Sequence, residues 1–159
     1  MSMIDKHGYR ANVGMILCND QQQVLWAKRV YPENAWQFPQ GGLNKGESLE
    51  EGMYRELNEE LGLLPTDVSI LAQTKDWLLY DLPAQLIRHH QMPLCIGQKQ
   101  HWFLLRLLAS DQCICLDAQK DKEFVDWTWV DYDYPAAHVV SFKRKVYEEA
   151  LRELKPHLK

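Results

Sequence analysis

Apolar residues recur at every fourth position between residues 48 and 61. Residues four apart lie on one face of an α-helix, so this spacing predicts an amphipathic helix. Ser48 with Glu51 three residues later is typical of a capping box, and Gly62 is typical of a helix end. The residues of the apolar stripe are Leu49, Met53, Leu57 and Leu61.

Shorter apolar runs on both sides of this helix predict strands. The runs Val13–Leu17 and Val24–Arg29 flank a polar segment and predict a hairpin. A last helix is predicted from about Ser141 to Leu154, with one apolar side. This order favours an α/β fold, with a mixed sheet packed between helices. Further strands are predicted at Trp36–Phe38, Val68–Thr74, Trp77–Leu82, His101–Leu108 and Trp127–Val130.

The composition indicates one globular domain. With 159 residues, of which 46% are hydrophobic, the chain can bury one core but not comfortably two, so we expect a single domain over residues 1–159. The first ten residues do not resemble a signal peptide, and no run approaches the roughly 20 apolar residues that span a bilayer. A cytoplasmic protein without membrane contact is therefore expected.

The net charge and the cysteine spacing argue against two further classes of protein. A formal net charge of −4 argues against a protein that grips long nucleic acid, because such proteins usually carry a basic excess. A nucleic-acid substrate should then be recognised by its end. The four cysteines form no CxxC pair, which argues against a structural zinc site or a disulfide framework. Nothing in the sequence identifies a protein partner.

Three glutamates of the predicted helix are the main candidates for chemistry. Glu56, Glu59 and Glu60 stand three and four residues apart, so their carboxylates share one helix edge. Like charges in this arrangement repel, by about 0.2 to 0.5 kcal/mol per pair on an isolated helix. A magnesium ion, which prefers oxygen ligands, would offset this repulsion. On their own, the three residues are more typical of a solvated acidic face than of a metal site.

The segment around these glutamates resembles the complete signature of the Nudix hydrolases. The pattern is G, five residues, E, seven residues and then R-E-apolar-x-E-E-x-G-apolar, and it is met from Gly41 to Leu63. The resemblance implies the Nudix fold, an α/β/α sandwich with a mixed sheet and a catalytic loop, helix and loop. It also implies hydrolysis of phosphoanhydride bonds with Mg²⁺, for which Mn²⁺ or another divalent metal can substitute.

The resemblance also implies roles for individual residues. Glu56, Glu59 and Glu60 are expected to ligate the metal, together with the backbone carbonyl of Gly41. Glu59 is the first candidate for the general base that takes the proton of the attacking water. Two residues are expected to support this site without reacting, Arg55 and Glu47.

Glu123 lies outside the signature, in the segment KDKEFVDWTWV. Taken alone, an acid in a charged loop is more often solvated than catalytic. In the enzymes that this chain resembles, an acidic residue of this loop reaches the metals. Glu123 is therefore a further candidate metal ligand, and it competes with Glu59 for the role of general base.

Four further segments resemble the bacterial RNA pyrophosphohydrolases, also known as dinucleoside polyphosphate hydrolases. This group converts the 5′-triphosphate or diphosphate end of an RNA to a monophosphate, which promotes mRNA decay, and can split dinucleoside polyphosphates. The four segments are GYRANVG at 8–14, WQFPQGG at 36–42, IGQKQHWFLL at 96–105 and VVSFKRKVY at 139–147. The RNA contacts implied by the resemblance are Arg10, Arg29, Val140, Phe142 and Lys143.

An RNA end requires cations for its phosphates and an apolar or aromatic surface for a base. Phe142 and Val140 can provide that surface. The alternative is that Phe142 packs at the start of the last helix and that the cations are solvated. The candidate cations are Arg10, Arg29, Lys99, Lys143 and Arg144.

Two other functions remain open from the sequence. One is a Nudix enzyme whose main substrate is small, either a dinucleoside polyphosphate or a damaged nucleoside triphosphate. The other is an inactive Nudix-fold module that only binds RNA or a protein. The complete set of Glu56, Glu59 and Glu60 argues against the inactive module.

Overall fold

A mixed sheet flanked by helices forms the frame of the computed structural model, which describes residues 3–117 and 119–159. The helices are α1 (Leu49–Leu61), α2 (Tyr134–His138) and α3 (Arg144–Leu154). A 3₁₀ turn, Ser141–Lys143, leads directly into α3. The strands are β1 (Tyr9–Cys18), β2 (Val24–Arg29), β3 (Trp36–Gln37), β4 (Gln40–Gly42), β5 (Val68–Gln73), β6 (Leu78–Asp81), β7 (Gly97–Leu107) and β8 (Phe124–Val130).

Strands β1 and β7 lie at the centre of the sheet and pair in parallel. The main path of strands is β3-β2-β1-β7-β5, with β8 paired to β2, β6 to β7 and β4 to β1. Arg10 is the register partner of Gln98, and Asn12 is that of Gln100. Side chains alternate between the two faces of a strand, so these residues all lie on one face of the sheet. The hairpin predicted at the start of the chain is present, because β1 and β2 pair antiparallel.

Each face of the sheet has its own hydrophobic core. On one face, α1 packs Met53, Leu57 and Leu61 against residues of β1 and β7. On the other face, α3 packs Tyr147 and Leu151 against a group of aromatic residues. This is the predicted α/β/α sandwich with a mixed sheet. The buried aromatic residues of the second core include Trp26, Phe38, Trp102 and Tyr132.

The helix predicted from the four-residue spacing forms with the predicted caps. Ser48 accepts a hydrogen bond from the backbone N–H of Glu51, and the Glu51 side chain accepts one from Ser48, which completes the capping box. Gly62 ends the helix with φ 70°, a left-handed conformation that glycine adopts readily. α1 is therefore held at both ends by local sequence.

Other element bounds differ from the prediction. β7 begins at Gly97 rather than at His101, because the polar GQKQ segment continues the parallel pairing with β1. Two short elements were not predicted: β4, a glycine-rich strand that pairs with β1, and the helix α2. The last helix begins as the 3₁₀ turn and becomes α-helical only at Arg144. No helix among the described residues is long and apolar enough to cross a membrane.

Candidate active site

The three signature glutamates meet at one point, as the helical spacing predicts. One carboxylate oxygen from each of Glu56, Glu59 and Glu60 lies within 4.8 Å of the others. Glu56 is buried, whereas Glu59 and Glu60 are partly exposed. Burial raises the pKa of Glu56, although the guanidinium of Arg55 opposes this shift. The cluster thus concentrates negative charge where water screens it poorly.

Within the cluster, the negative charge of Glu60 is the least compensated by hydrogen bonds or cations. Its Oε2 atom is buried and has no hydrogen-bond partner among the described residues. Burial and the nearby carboxylates of Glu123, Glu56 and Glu59 raise the pKa of Glu60 to about 8. A buried polar atom without a partner is unfavourable, and a cation ligated there would remove the penalty. The donor set, composed of carboxylate oxygens, fits a hard divalent metal ion.

Gly41 brings the backbone of β4 against the carboxylate of Glu56. A Cβ atom at position 41 would lie 2.0 Å from Glu56 Cδ, so only glycine fits here. Gly41 pairs with Val13 of β1, which fixes its position in the sheet. The backbone at Gly41 and the three glutamates line the same cavity.

Arg55 forms hydrogen bonds with three of the acidic residues around the site. It binds Glu47 through two hydrogen bonds of 2.7 and 2.9 Å. It also donates to Glu56 at 2.7 Å, to Glu59 at 3.3 Å and to the carbonyl of Gly42 at 2.8 Å. The two bonds to Glu47 lower the pKa of that carboxyl. Together, the bonds of Arg55 tie α1 to the loop before it. Arg55 therefore fixes the orientation of two glutamates in the cluster.

Glu123 reaches the same cavity from the start of β8. Its Oε1 atom lies 3.3 Å from the guanidinium of Arg29 at the end of β2. Antiparallel pairing of β2 with β8 places these ends together, with a register shift between Lys28 and Arg29. The structure thus brings Glu123 to the signature glutamates, although more than 60 residues separate them in the chain.

The cavity that contains this cluster has a volume of about 600 Å³. The glutamates line one part of it, and cations with aromatic and amide side chains line the rest. Arg10 belongs to this second group, and its Nε atom is buried without a hydrogen-bond partner among the described residues. The predicted residues that line the cavity are Arg10, Arg29, Gly41, Glu56, Glu59, Glu60, Glu123, Phe142 and Lys143.

Lys143 is a buried cation that lines the same cavity as the glutamates. Only 7% of the residue is exposed. Burial lowers the pKa of Lys143 to about 8, and the charge of Arg29 acts in the same direction. Its Nζ atom donates to Gln37 Oε1 at 3.0 Å and to Gln40 Oε1 at 3.4 Å. A lysine in such surroundings favours an incoming anion.

Phe142 both packs at the start of the last helix and is available as a surface for a base. Its ring packs against the core beneath α3 and also lines the cavity. The ring centroid of the buried Tyr80 lies 5.7 Å away, with the two ring planes at 50°. Phe142 is the more exposed of the two rings and is the one suited to stacking a base.

Three candidate RNA-binding residues, Lys99, Arg144 and Val140, lie outside this cavity in the described structure. Lys99 points to the face opposite Gln98, where it pairs with Asp5 at 3.1 Å and lies 5.0 Å from the ring of Trp77. Arg144 lines a separate cavity between α2 and α3. Val140 is half exposed and does not line the glutamate cavity. Lys99 and Arg144 are therefore excluded from the set of cations in this cavity.

Several lining residues were not predicted from the sequence. Tyr80 comes from β6, which reaches the cavity only in the folded sheet. Gln40 and Gln98 lie in the WQFPQGG and IGQKQHWFLL segments, so those resemblances could have identified them. The loop between β6 and β7 gave no sequence signal, and it contributes Leu82, Leu86, Arg88, Gln91 and Cys95.

The NUDIX domain family model matches residues 8–150, which is most of the chain. The chain belongs to the NUDIX domain family. The prediction of a Nudix hydrolase is thereby confirmed. Nudix hydrolases generally use divalent metals, in agreement with the acidic cluster on α1.

Curated relatives share more than half of their residues with this chain. An RNA pyrophosphohydrolase of Cellvibrio japonicus is 60% identical over 152 residues, which cover 96% of this chain and 89% of that protein. An RNA pyrophosphohydrolase of Pseudomonas putida strain F1 is 58% identical over 156 residues, which cover 98% of both proteins. The subgroup predicted from the four sequence segments is therefore confirmed.

Solved structures share the fold at much lower identity. The E. coli dihydroneopterin triphosphate pyrophosphohydrolase superposes with a TM-score of 0.71 at 21% identity, covering 90% of this chain and 95% of that one. A C. elegans Ap4A hydrolase gives a TM-score of 0.65 at 16% identity, covering 92% and 98%. These likenesses support the α/β Nudix fold.

Proposed function

We propose that this Nudix hydrolase is an RNA 5′-pyrophosphohydrolase, which converts 5′-triphosphate or diphosphate RNA ends to 5′-monophosphates. The observation that carries the proposal is one cavity, which is lined by the signature glutamates together with Arg10, Lys143 and the ring of Phe142. Such a cavity offers a metal site, phosphate contacts and a base platform within about 600 Å³. The names of the 57–60% identical relatives support the same substrate.

The metal in this proposal is Mg²⁺, for which Mn²⁺ or another divalent ion can substitute. We assign Glu56, Glu59, Glu60 and Glu123 as its carboxylate ligands, and the Gly41 carbonyl as a further ligand. When bound, the metal polarises phosphoryl oxygens and offsets the negative charge that builds on them. The orphaned Oε2 atom of Glu60 is the feature of this chain that supports the assignment.

The protein side chains then divide the remaining tasks. Glu59 accepts the proton of a water whose oxygen bonds to phosphorus, while a phosphoanhydride bond breaks and its leaving oxygen keeps the electron pair. Glu123 is the competing candidate for this proton. Arg55 and Glu47 position the carboxylates without contacting the substrate. The proposed RNA contacts in the cavity are Arg10, Arg29, Phe142 and Lys143, and Val140, half exposed outside the cavity, is a proposed contact for RNA beyond it.

The geometry also explains why an RNA end, and not a long duplex, is the proposed substrate. The chain carries a formal net charge of −4, whereas Arg10, Arg88 and Lys143 line the cavity that contains the glutamates. Cations in a cavity can bind the phosphates of a terminus, whereas a negative net charge disfavours binding along a long backbone. We propose that residues 1–159 act as one domain in the cytoplasm, where removal of pyrophosphate exposes transcripts to decay.

The test is a direct competition between substrates. A short RNA with a labelled 5′-triphosphate is incubated with the protein and Mg²⁺, beside diadenosine polyphosphates and free nucleoside triphosphates. Glu56→Gln serves as the blank. The expected result is preferred conversion of RNA to the 5′-monophosphate. Preferred cleavage of the small nucleotides would leave the family intact and refute the RNA substrate, and no turnover at all would favour a binding module.

A further inference from the structure

Lys143 is held by neutral groups in the cavity. An ammonium has three N–H donors, and here two of them go to the amide oxygens of Gln37 and Gln40. Lys143 forms no ion pair within the described part of the chain. Buried lysines are rarely left without a carboxylate partner, because an uncompensated charge is unfavourable there. The arrangement therefore keeps a positive charge available in a wall that lines the cavity.

The orientation of the Gln40 amide follows from its two partners. Lys143 can only donate, so the Gln40 oxygen must face it. The Gln40 amide nitrogen then lies 3.3 Å from the hydroxyl of Tyr80 and donates to it. Lys143 thus fixes which end of the amide faces it, and Tyr80 accepts the hydrogen bond from the other end.

The backbone that carries the two glutamines is anchored to α3, the helix that begins directly after the lysine. Phe38 lies between Gln37 and Gln40, and its backbone N–H donates to the Tyr147 hydroxyl at 2.9 Å. The rings of Phe38 and Tyr147 pack with their centroids 4.9 Å apart in the core. Tyr147 follows Lys143 by four residues in α3, so this contact fixes the glutamines relative to the lysine.

We propose that Gln37 and Gln40 are positioning residues that orient the Lys143 ammonium toward substrate phosphate without neutralising it. This inference rests on the proposed function and assigns a role to two residues outside the Nudix signature. A phosphate oxygen takes the remaining N–H of Lys143 and provides the missing negative charge. A carboxylate at position 37 or 40 would instead form an internal ion pair and compete with the phosphate.

The substitutions Gln40→Glu and Gln37→Glu test this directly, because they keep side-chain size and change only the charge. KM and kcat are measured for triphosphate RNA at saturating Mg²⁺. We expect KM to rise about tenfold, the factor for one charge-assisted hydrogen bond, with kcat changed less than about threefold. Gln37 is buried, so the folding of its variant is checked by circular dichroism. Gln40 is only partly buried, and its variant carries the test if Gln37→Glu unfolds.

A matched control separates contact with Lys143 from added net charge. Gln85 lies exposed in the 3₁₀ turn Ala84–Leu86 and does not line the cavity. Gln85→Glu makes the same change in charge, and we expect less than about a threefold rise in KM, as for other exposed charges. An equal rise in KM for Gln40→Glu and Gln85→Glu would overturn the proposal.

A double-mutant cycle with Lys143→Gln tests whether the glutamines act through the lysine. If they do, Gln40→Glu adds no further rise in KM once Lys143 is replaced. The same factor in both backgrounds would show that Gln40 acts independently and would refute the proposal. The parent's turnover of RNA tests the proposed function separately. If the parent prefers diadenosine polyphosphate, the cycle is measured with that substrate.

Discussion

Arg29 and Glu123 form an ion pair of 3.3 Å inside the candidate active site, between the end of β2 and the start of β8. One partner belongs to the proposed phosphate contacts and the other to the proposed metal ligands. Both side chains are about one third exposed or more, so the pair itself adds little stability. Its importance is that each residue limits the charge that the other presents to the substrate.

Glu59→Gln should lower kcat more than Glu123→Gln does. Loss of a general base costs about 100-fold or more in rate. In Glu123→Gln, Arg29 loses its ion-pair partner and becomes free to bind phosphate, so KM should fall or stay constant while kcat drops. Single-turnover and steady-state kinetics on triphosphate RNA measure both quantities. A larger loss of kcat in Glu123→Gln would transfer the role of base to Glu123.

Arg55→Gln should destabilise the protein by about 3 kcal/mol, because removal of one partner leaves buried carboxylates uncompensated. Glu47 and Glu56 both depend on Arg55 for their charge-assisted hydrogen bonds. Urea unfolding without metal measures the change. Arg152→Gln, at an exposed position of α3, is the matched control and should alter stability by less than about 0.5 kcal/mol. Equal effects of the two substitutions would contradict the role given to Arg55.

Gly41→Ala should abolish turnover by displacing the carboxylate of Glu56, since its Cβ would lie 2.0 Å from Glu56 Cδ. Gly46→Ala is the control. A Cβ atom at position 46 would meet no atom within 4 Å beyond its chain neighbours, but Gly46 has φ +83°, so alanine there should cost about 1 kcal/mol through strain. We expect Gly46→Ala to lower the midpoint of thermal unfolding while kcat persists. Retained activity in Gly41→Ala would contradict the proposed close contact.

The kcat/KM for RNA should fall as pH rises through about 8, because burial lowers the pKa of Lys143 to about 8. Below this pH the side chain is charged and binds phosphate, and above it the neutral amine does not. Lys143→Arg keeps its charge and should remove this alkaline limb. Profiles of kcat/KM from pH 6.5 to 10, which report groups of the free enzyme, measure the effect. An identical alkaline limb in both proteins would show that another group titrates.

Some parts of the site follow from local sequence. The four-residue apolar spacing, the capping box at Ser48 and the stop at Gly62 predict α1 closely, because helix geometry depends on residues near in the chain. The same geometry places Glu56, Glu59 and Glu60 together. Missed elements were those with weak local patterns, such as the three-residue strand β4 and the five-residue helix α2.

The sequence by itself determined the catalytic helix, its carboxylate cluster and membership of the Nudix family, because all three are encoded within one continuous segment. Only the tertiary structure decided which distant side chains join them. Lys99 resembled Lys143 as a candidate, yet strand alternation turns Lys99 away to Asp5, while the packing of α3 buries Lys143 beside Gln37. Pairings between strands remote in the chain set these positions, and no local periodicity encodes such pairings.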